Sequence, residues 1–139
     1  MKASSEPAEL RFKGRNEIVL QDVLVGEVWI CSGQSNMGFT VERSVNGPAE
    51  VANSADPQIR MFTVPRTTAD EPQKDLVTRD AQSAWLPADP KNTGAFTAAG
   101  YFFGRELQKE LKVPIGLINT SWGGTRAEAW TSKPALEAV

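Results

Sequence analysis

The sequence predicts an α/β domain of the doubly wound kind, built on a parallel sheet. Two short apolar segments, at 22–31 and 115–119, have the composition of strands, and a helical pattern at 97–112 lies in the long connection between them. This order of strand, long connection with helix and strand is typical of a crossover between parallel strands. A chain of 139 residues can bury a core of its own, so we expect one α/β unit.

The first predicted strands lie at 17–20 and 22–31, where Val, Ile, Leu and Trp are concentrated. The second of these is apolar on both faces, which is typical of a central parallel strand. The segment from 38 to 92 shows little periodicity and contains six prolines. We therefore expect long surface loops there, around one strand at 59–64.

The clearest helix is predicted at 97–112, because apolar residues recur four positions apart and charged residues occupy the other faces. Pro114 ends this helix, and a short strand follows at 115–119. The predicted apolar stripe consists of Ala99, Phe103, Leu107 and Leu111, widened by Phe102.

Two further helix starts are predicted near the end of the sequence. Thr125 and Glu128 have the spacing of a capping box, so one helix should begin at the glycine pair just before them. Another should begin at Ser132, with Pro134 in its first turn. Since that helix has barely begun when the sequence stops, we expect the natural domain to continue.

Composition excludes several classes of function. The chain has 15 Lys and Arg against 17 Asp and Glu, a net charge of −2, and lacks the basic patch that nucleic acid or an anionic membrane would require. It contains no His, so it cannot complete a His-dependent triad, even as a homo-oligomer. Its single cysteine, Cys31, cannot form an internal disulfide and is expected in the core. The first ten residues lack the apolar core of a signal peptide, and the sequence leaves localisation open.

Chemistry is expected in two polar loops that follow the predicted parallel strands, at 31–38 and 119–125. Ligands gather beyond the carboxyl ends of such strands, where loops and helix N-termini meet. Ser35 is the candidate nucleophile, and glycine N–H groups or an Asn amide are candidate oxyanion donors. An α/β-hydrolase elbow fits poorly, because the second glycine, Gly38, comes one residue late. The alternative is that both loops are ordinary turns and helix caps.

Three segments carry a resemblance to a known family: VLVGEVWICSGQSNM at 23–37, AGYFFGREL at 99–107 and VPIGLINTSWGGTRAEAW at 113–130. All three resemble, in the same order, blocks of the sialate O-acetylesterase family, a branch of the SGNH/GDSL hydrolases. The resemblance implies a flavodoxin-like three-layer SGNH fold and a serine carbohydrate esterase that needs no metal and no cofactor. Its substrates would be O-acetyl groups of sialic acids or other sugars.

The resemblance also implies roles for individual residues. Ser35 matches the nucleophile, and Gly100 resembles the glycine whose N–H joins that of Ser35 in the oxyanion hole. The third donor is either Asn119 or the following glycine loop, where Gly124 is favoured because it precedes a predicted helix. The remaining candidates for the oxyanion and substrate site are Gln34, Asn36, Gly123 and Thr125.

The sequence departs from the family in lacking the late Asp-x-x-His block that supplies acid and base. We therefore interpret the chain as an internal, truncated portion of such an enzyme. Residues 1–22 would be a remnant of an N-terminal β-rich domain or a lead-in strand, and residues 23–139 would be the N-terminal part of the catalytic domain. Such a chain should be weak or inactive alone. It is alternatively a non-catalytic glycan-binding or assembly subunit, or it needs a partner segment that supplies Asp-x-x-His. An incomplete sheet should also self-associate.

Two interpretations of Trp122 stay open. It lies in the second polar loop and is a candidate contact for the face of a sugar ring. The alternative is that it packs at the rim of the core, as most tryptophans do.

Overall fold

A computed structural model describes residues 2–71, 73–76 and 84–138 of the chain. In these residues six strands and three α helices follow one another, together with short 3₁₀ helices at Val41–Arg43 and Ala127–Trp130. The strands are β1 (Ser4–Lys13), β2 (Glu17–Val25), β3 (Glu27–Cys31), β4 (Asp56–Thr63), β5 (Leu86–Ala88) and β6 (Ile115–Asn119). The helices are α1 (Gly47–Ala52), α2 (Ala98–Leu111) and α3 (Lys133–Leu136).

The main sheet has the strand order β3-β6-β4-β5. Strand β6 runs parallel to both neighbours, β3 and β4, whereas β5 is antiparallel to β4. Asn119 at the end of β6 is in register with Cys31 on one side and Thr63 on the other. Three parallel strands therefore end at one level, and the predicted α/β class with a parallel sheet is confirmed.

Helix α2 covers one face of this sheet and forms the core with it. Leu117 is completely buried, and Ile59 and Ile115 are at most 1% exposed. Gly104 allows the helix to come close, because a Cβ there would lie 2.7 Å from Leu117 Cδ1. Burial of each large aliphatic side chain contributes about 1.5–3 kcal/mol, so these contacts hold the helix on the strands.

The position of α2 in the sequence is confirmed, and the predicted apolar stripe is confirmed in part, since Phe102 and Leu107 are half-buried and pack against the core. Phe103 and Leu111 are 44% and 49% exposed, and Ala99 is exposed as well. The buried side of the helix is instead formed by Ala98, Gly100, Tyr101 and Gly104. Three of these four residues are small, and they allow the helix to lie close to the sheet. A pattern of apolar residues at helical spacing does not predict such a close approach.

The predicted strand at 22–31 divides into β2 and β3 at Gly26. A Cβ at this glycine would lie 1.9 Å from the carbonyl oxygen of Pro114, so only glycine fits the bend. Strand β3 is also the edge of the described sheet, with Val28 61% and Ile30 69% exposed. The expectation of a central strand is therefore wrong for the described residues. Trp85 packs on this face over Gly116 and Phe62, but Val28 and Ile30 at the edge stay exposed.

The region expected to hold loops around one strand contains more regular structure than predicted. Strand β4 begins at Asp56, three residues earlier than expected, and α1 and β5 add a helix and a short antiparallel strand. The predictions for β6 and for a helix start at Ser132 are confirmed. No helix in the described parts of the chain has the length and apolar character needed to span a membrane.

Strands β1 and β2 form a separate antiparallel pair. The carboxylate of Asp22 in β2 accepts hydrogen bonds from both Nη atoms of Arg60 in β4, at 2.7 and 3.0 Å. This bidentate contact links the pair to the main sheet and lowers the pKa of Asp22. The division of the chain at residue 22 stays a prediction.

Candidate active site

The two polar loops leave the same edge of the sheet. Because Cys31 and Asn119 are in register on parallel strands, the loops that follow them start side by side. Thr120 N donates to Cys31 O at 3.1 Å, and Trp122 N donates to Gly33 O at 2.9 Å. The predicted meeting of these loops is confirmed, and its cause is the parallel pairing of β3 with β6.

Ser35 lies in the turn that follows β3 and is exposed. The turn is closed by a hydrogen bond of 2.8 Å from Gly38 N to Gln34 O. Gly33, which leads into it, has a φ of +150°, a conformation that other residues rarely adopt. Among the hydrogen bonds of the described residues, none involves Ser35 Oγ. The loop therefore presents this hydroxyl to solvent beyond the end of the sheet.

Gly123 lies directly against Ser35. A Cβ built on Gly123 would be 3.5 Å from both Cα and Cβ of Ser35 and 3.7 Å from its backbone N. The absence of a side chain keeps the space beside the Ser35 N–H open. Gly124 has a φ of +79°, and a Cβ built on it would have open space around it. Glycine is therefore favoured at this position by the backbone conformation and not by close packing.

Asn119 supports the second loop from beneath. Its side chain is buried, and its Oδ1 accepts hydrogen bonds from Ser121 N at 3.0 Å and Ser121 Oγ at 2.7 Å. Ser121 Oγ in turn faces Gly38, where a Cβ would be 3.3 Å away. This arrangement fixes the second loop against the turn that holds Ser35. Within the described part of the chain no hydrogen bond uses Asn119 Nδ2.

Gly100 is buried in the first turn of α2. Its N–H donates to Thr97 Oγ1 at 3.3 Å, the N-cap hydrogen bond of the helix. A Cβ at Gly100 would lie 2.7 Å from Cys31 Sγ, so the glycine allows α2 to pack against the end of β3. This geometry explains Gly100 by packing, and the N–H that the resemblance assigns to the oxyanion hole is engaged by the helix cap.

The capping box predicted for Thr125 and Glu128 is wrong. The 3₁₀ helix that forms there has Arg126 as its N-cap, without a side-chain cap. The Thr125 hydroxyl instead donates to Trp122 O at 2.7 Å and accepts from Trp130 Nε1 at 2.8 Å. Thr125 therefore binds the glycine loop to the segment after it, because a hydroxyl can donate and accept at once.

The remaining residues predicted for the site occupy the turn around Ser35 or the core behind it. Gln34 and Asn36 flank Ser35 and are both exposed. Cys31 is 5% exposed, and burial raises the pKa of its thiol, which confirms it as a core residue. Groups of three or more metal-binding side chains do not occur among the described residues.

Sequence reasoning missed Arg66. It lies beyond the end of β4, in a segment without a recognisable motif. Its Nε donates to Ser121 O at 3.1 Å, although 55 positions separate the two residues. A cavity of about 530 Å³ opens between this segment and the second polar loop. Residues that line it include Val64, Arg66, Thr68, Trp122, Thr125 and Trp130. Only the pairing of β4 with β6 brings these residues together.

An exposed serine beside a glycine-rich loop, at the carboxyl edge of a parallel sheet, is an arrangement typical of α/β-class hydrolytic enzymes that use a serine nucleophile. Residues 25–137 match the family model described as "Carbohydrate esterase, sialic acid-specific acetylesterase". The chain belongs to this family, as its three sequence segments predicted.

Individual relatives agree with this assignment. The chain is 43% identical over 125 residues to sialate O-acetylesterase from Pongo abelii and 42% identical over 125 residues to that from Homo sapiens. Each match covers 86% of this chain and 24% of the relative, so the chain spans about a quarter of their length. A solved carbohydrate acetylesterase from Xanthomonas citri superimposes with a TM-score of 0.87 at 41% identity, over 95% of this chain and 30% of that one.

Proposed function

We propose that this chain carries the nucleophile of a serine esterase that removes O-acetyl groups from sialic acids or other carbohydrates. The observation that carries the proposal is the position of Ser35, exposed at the end of β3 with Gly123 alongside. In the first step Ser35 Oγ bonds to the acetyl carbon and the sugar hydroxyl leaves. Water then releases acetate from the acyl-enzyme and restores the serine.

Charge that develops on the carbonyl oxygen needs N–H donors aimed at it. The Ser35 N–H borders the open space at Gly123, so we assign it first. The Gly123–Gly124 backbone and Asn119 Nδ2, which no described hydrogen bond uses, are the other candidate donors. Gly100 remains a candidate only if its N–H leaves Thr97, to which it donates here.

The proton of Ser35 needs a base, and the sequence contains no His. None of the described carboxylates accepts a hydrogen bond from Ser35. We propose that an Asp-x-x-His segment outside these 139 residues supplies the base, on a partner segment if not on the same polypeptide. Loss of a triad base typically lowers the rate by several orders of magnitude, so this chain alone should be weak or inactive.

The proposal is tested by acetyl-ester hydrolysis over a pH series, with and without an added segment that carries Asp-x-x-His. Hydrolysis should require the added segment and should vanish in Ser35→Ala. Ser32→Ala is the matched control, because it removes a hydroxyl from the same exposed loop. Equal rates for Ser35→Ala and the unaltered chain, above background, would contradict Ser35 as the nucleophile.

A second candidate function is that of a non-catalytic glycan-binding or assembly subunit. The observation that favours it is the lack of any described hydrogen-bond partner for Ser35 Oγ. The two functions differ in covalent labelling by a fluorophosphonate, which needs an activated serine. Labelling of Ser35 in the presence of the added segment supports the esterase. Absence of labelling there, with glycan binding retained, supports the binding subunit.

We also propose that the chain self-associates through the open face of its sheet. Val28 and Ile30 on β3 lie on one face, in register with Gly116 and Ile118 on β6, and the two β3 side chains are more than half exposed. Light scattering should show a mass that rises with concentration. Ile30→Lys should reduce it, whereas Val45→Lys, at a site 87% exposed elsewhere, should not. A concentration-independent monomer mass would refute this.

A further inference from the structure

The cavity beside the second polar loop combines features that suit one kind of ligand. One wall comes from the segment that follows β4, at 64–69, and the other from residues 120–130 after β6. Its volume of about 530 Å³ lies within the range of small-molecule sites. Trp122, in its wall, is adjacent in sequence to the glycine that touches Ser35. The cavity and the proposed nucleophile therefore border the same glycine loop.

Arg66 supplies positive charge to this cavity. Its Nε is anchored on Ser121 O, and Ser121 is itself held by the buried Asn119. None of the described carboxylates lies within 4.0 Å of the Arg66 guanidinium, and no described hydrogen bond uses its Nη atoms. A guanidinium held through Nε presents its Nη donors in a fixed plane, which matches the two oxygens of a carboxylate.

Trp130 supplies an apolar wall with a fixed orientation. Its Nε1 donates to Thr125 Oγ1, and Thr125 donates to the carbonyl of Trp122, so the indole is tied to the glycine loop. The side chain is nevertheless 44% exposed. An indole with its polar atom satisfied and part of its ring open can pack against the C–H groups of a sugar.

We infer that this cavity is a subsite for an anionic sugar, in which Arg66 binds the carboxylate of a sialic acid and Trp130 packs against its pyranose ring. The inference rests on the proposed function. It adds that Arg66 would distinguish a sialic acid from neutral acetylated sugars by binding the carboxylate. Selectivity would arise because the guanidinium meets a charge that a neutral sugar lacks.

The test measures binding rather than catalysis. The methyl α-glycoside of N-acetylneuraminic acid and the methyl ester of that glycoside share a ring and differ in the charge at the carboxyl group. Ligand-observed NMR titrations of the unaltered chain should give a Kd for the acid about tenfold or more below that for the ester, the effect of a charge-assisted hydrogen bond. Arg66→Gln should abolish this ratio.

Arg15→Gln is the matched control, because it removes the same charge at the exposed turn between β1 and β2 and should leave the ratio unchanged. Urea denaturation checks that Arg66→Gln folds, and Arg66→Lys should retain only part of the preference. Equal affinity for acid and ester, binding of neither, or a preference that survives Arg66→Gln would overturn the inference. Because neither ligand is acetylated on oxygen, failure of ester hydrolysis would leave this result unaffected.

Discussion

The adjacent glycines of the second loop should respond in opposite ways to the same substitution. Gly123→Ala should leave the free energy of unfolding within about 0.5 kcal/mol of the unaltered value. Its Cβ would meet Ser35 at 3.5 Å, which is ordinary van der Waals contact, and the backbone there is not in the left-handed region. The new methyl would nevertheless fill the space beside the Ser35 N–H, so reaction at Ser35 should fall.

Gly124→Ala should do the reverse. The space around its Cβ is open, but its φ of +79° costs an L-residue about 1–2 kcal/mol. We therefore expect a loss of about 1 kcal/mol in the free energy of unfolding, with the space beside Ser35 unchanged. The physical difference is that one glycine makes room for a neighbour and the other adopts a backbone conformation.

Urea denaturation followed by tryptophan fluorescence measures both stabilities. Fluorophosphonate labelling in the presence of an added Asp-x-x-His segment measures access to Ser35. Destabilisation of Gly123→Ala by more than about 1 kcal/mol, or no destabilisation of Gly124→Ala, would contradict these roles of the two glycines. Labelling of Gly123→Ala at the rate of the unaltered chain would show that the space beside Ser35 is not used.

Three further predictions concern the packing and ion pairing of the two sheets. Gly100→Ala should lower the free energy of unfolding by about 1–2 kcal/mol, because its Cβ would lie 2.7 Å from Cys31 Sγ and from Thr97 Cγ2; an unchanged urea midpoint would contradict this. Cys31 should react with a disulfide reagent at least about tenfold more slowly in the folded than in the unfolded chain, because it is buried and its pKa is raised; equal rates would place the thiol outside the core. The hydrogen bond from Arg60 lowers the pKa of Asp22 from 3.8. The contribution of Asp22 to stability should therefore be present above pH 3.8 and disappear as the pH falls through the pKa of the folded state. Stability curves of Asp22→Asn and the unaltered chain that do not converge in acid would contradict this.

The sequence predicted the elements whose signals are local. The helix at 98–111 lies between a Thr cap and Pro114, and the strand at 115–119 is a short apolar run between polar stretches. Parallel pairing followed from the long connection between strands, and it placed the two polar loops at one edge. The family could be predicted because the three segments that carry the resemblance are contiguous in sequence, and the family match over 25–137 includes nearly all of them.

The predictions failed where a long-range contact outweighed a local pattern. Thr125 has capping-box spacing, yet its hydroxyl bonds Trp122 O and Trp130 Nε1 instead. Only part of the predicted stripe of α2 faces the core, because Gly104 brings the helix onto Leu117 and periodicity counts apolar residues without regard to the distance of approach. The strand predicted at 22–31 breaks at Gly26, where the backbone of Pro114 passes too close for any side chain.

The sequence by itself thus determined the α/β class, the family and the candidate nucleophile, since each depends on residue types at short separations along the chain. Only the tertiary structure decided which groups surround that nucleophile. Gly123 reaches Ser35 because β3 and β6 pair in register, and Arg66 reaches Ser121 because β4 pairs with the other side of β6. Such contacts join residues tens of positions apart, and strand pairing rather than any local pattern sets them.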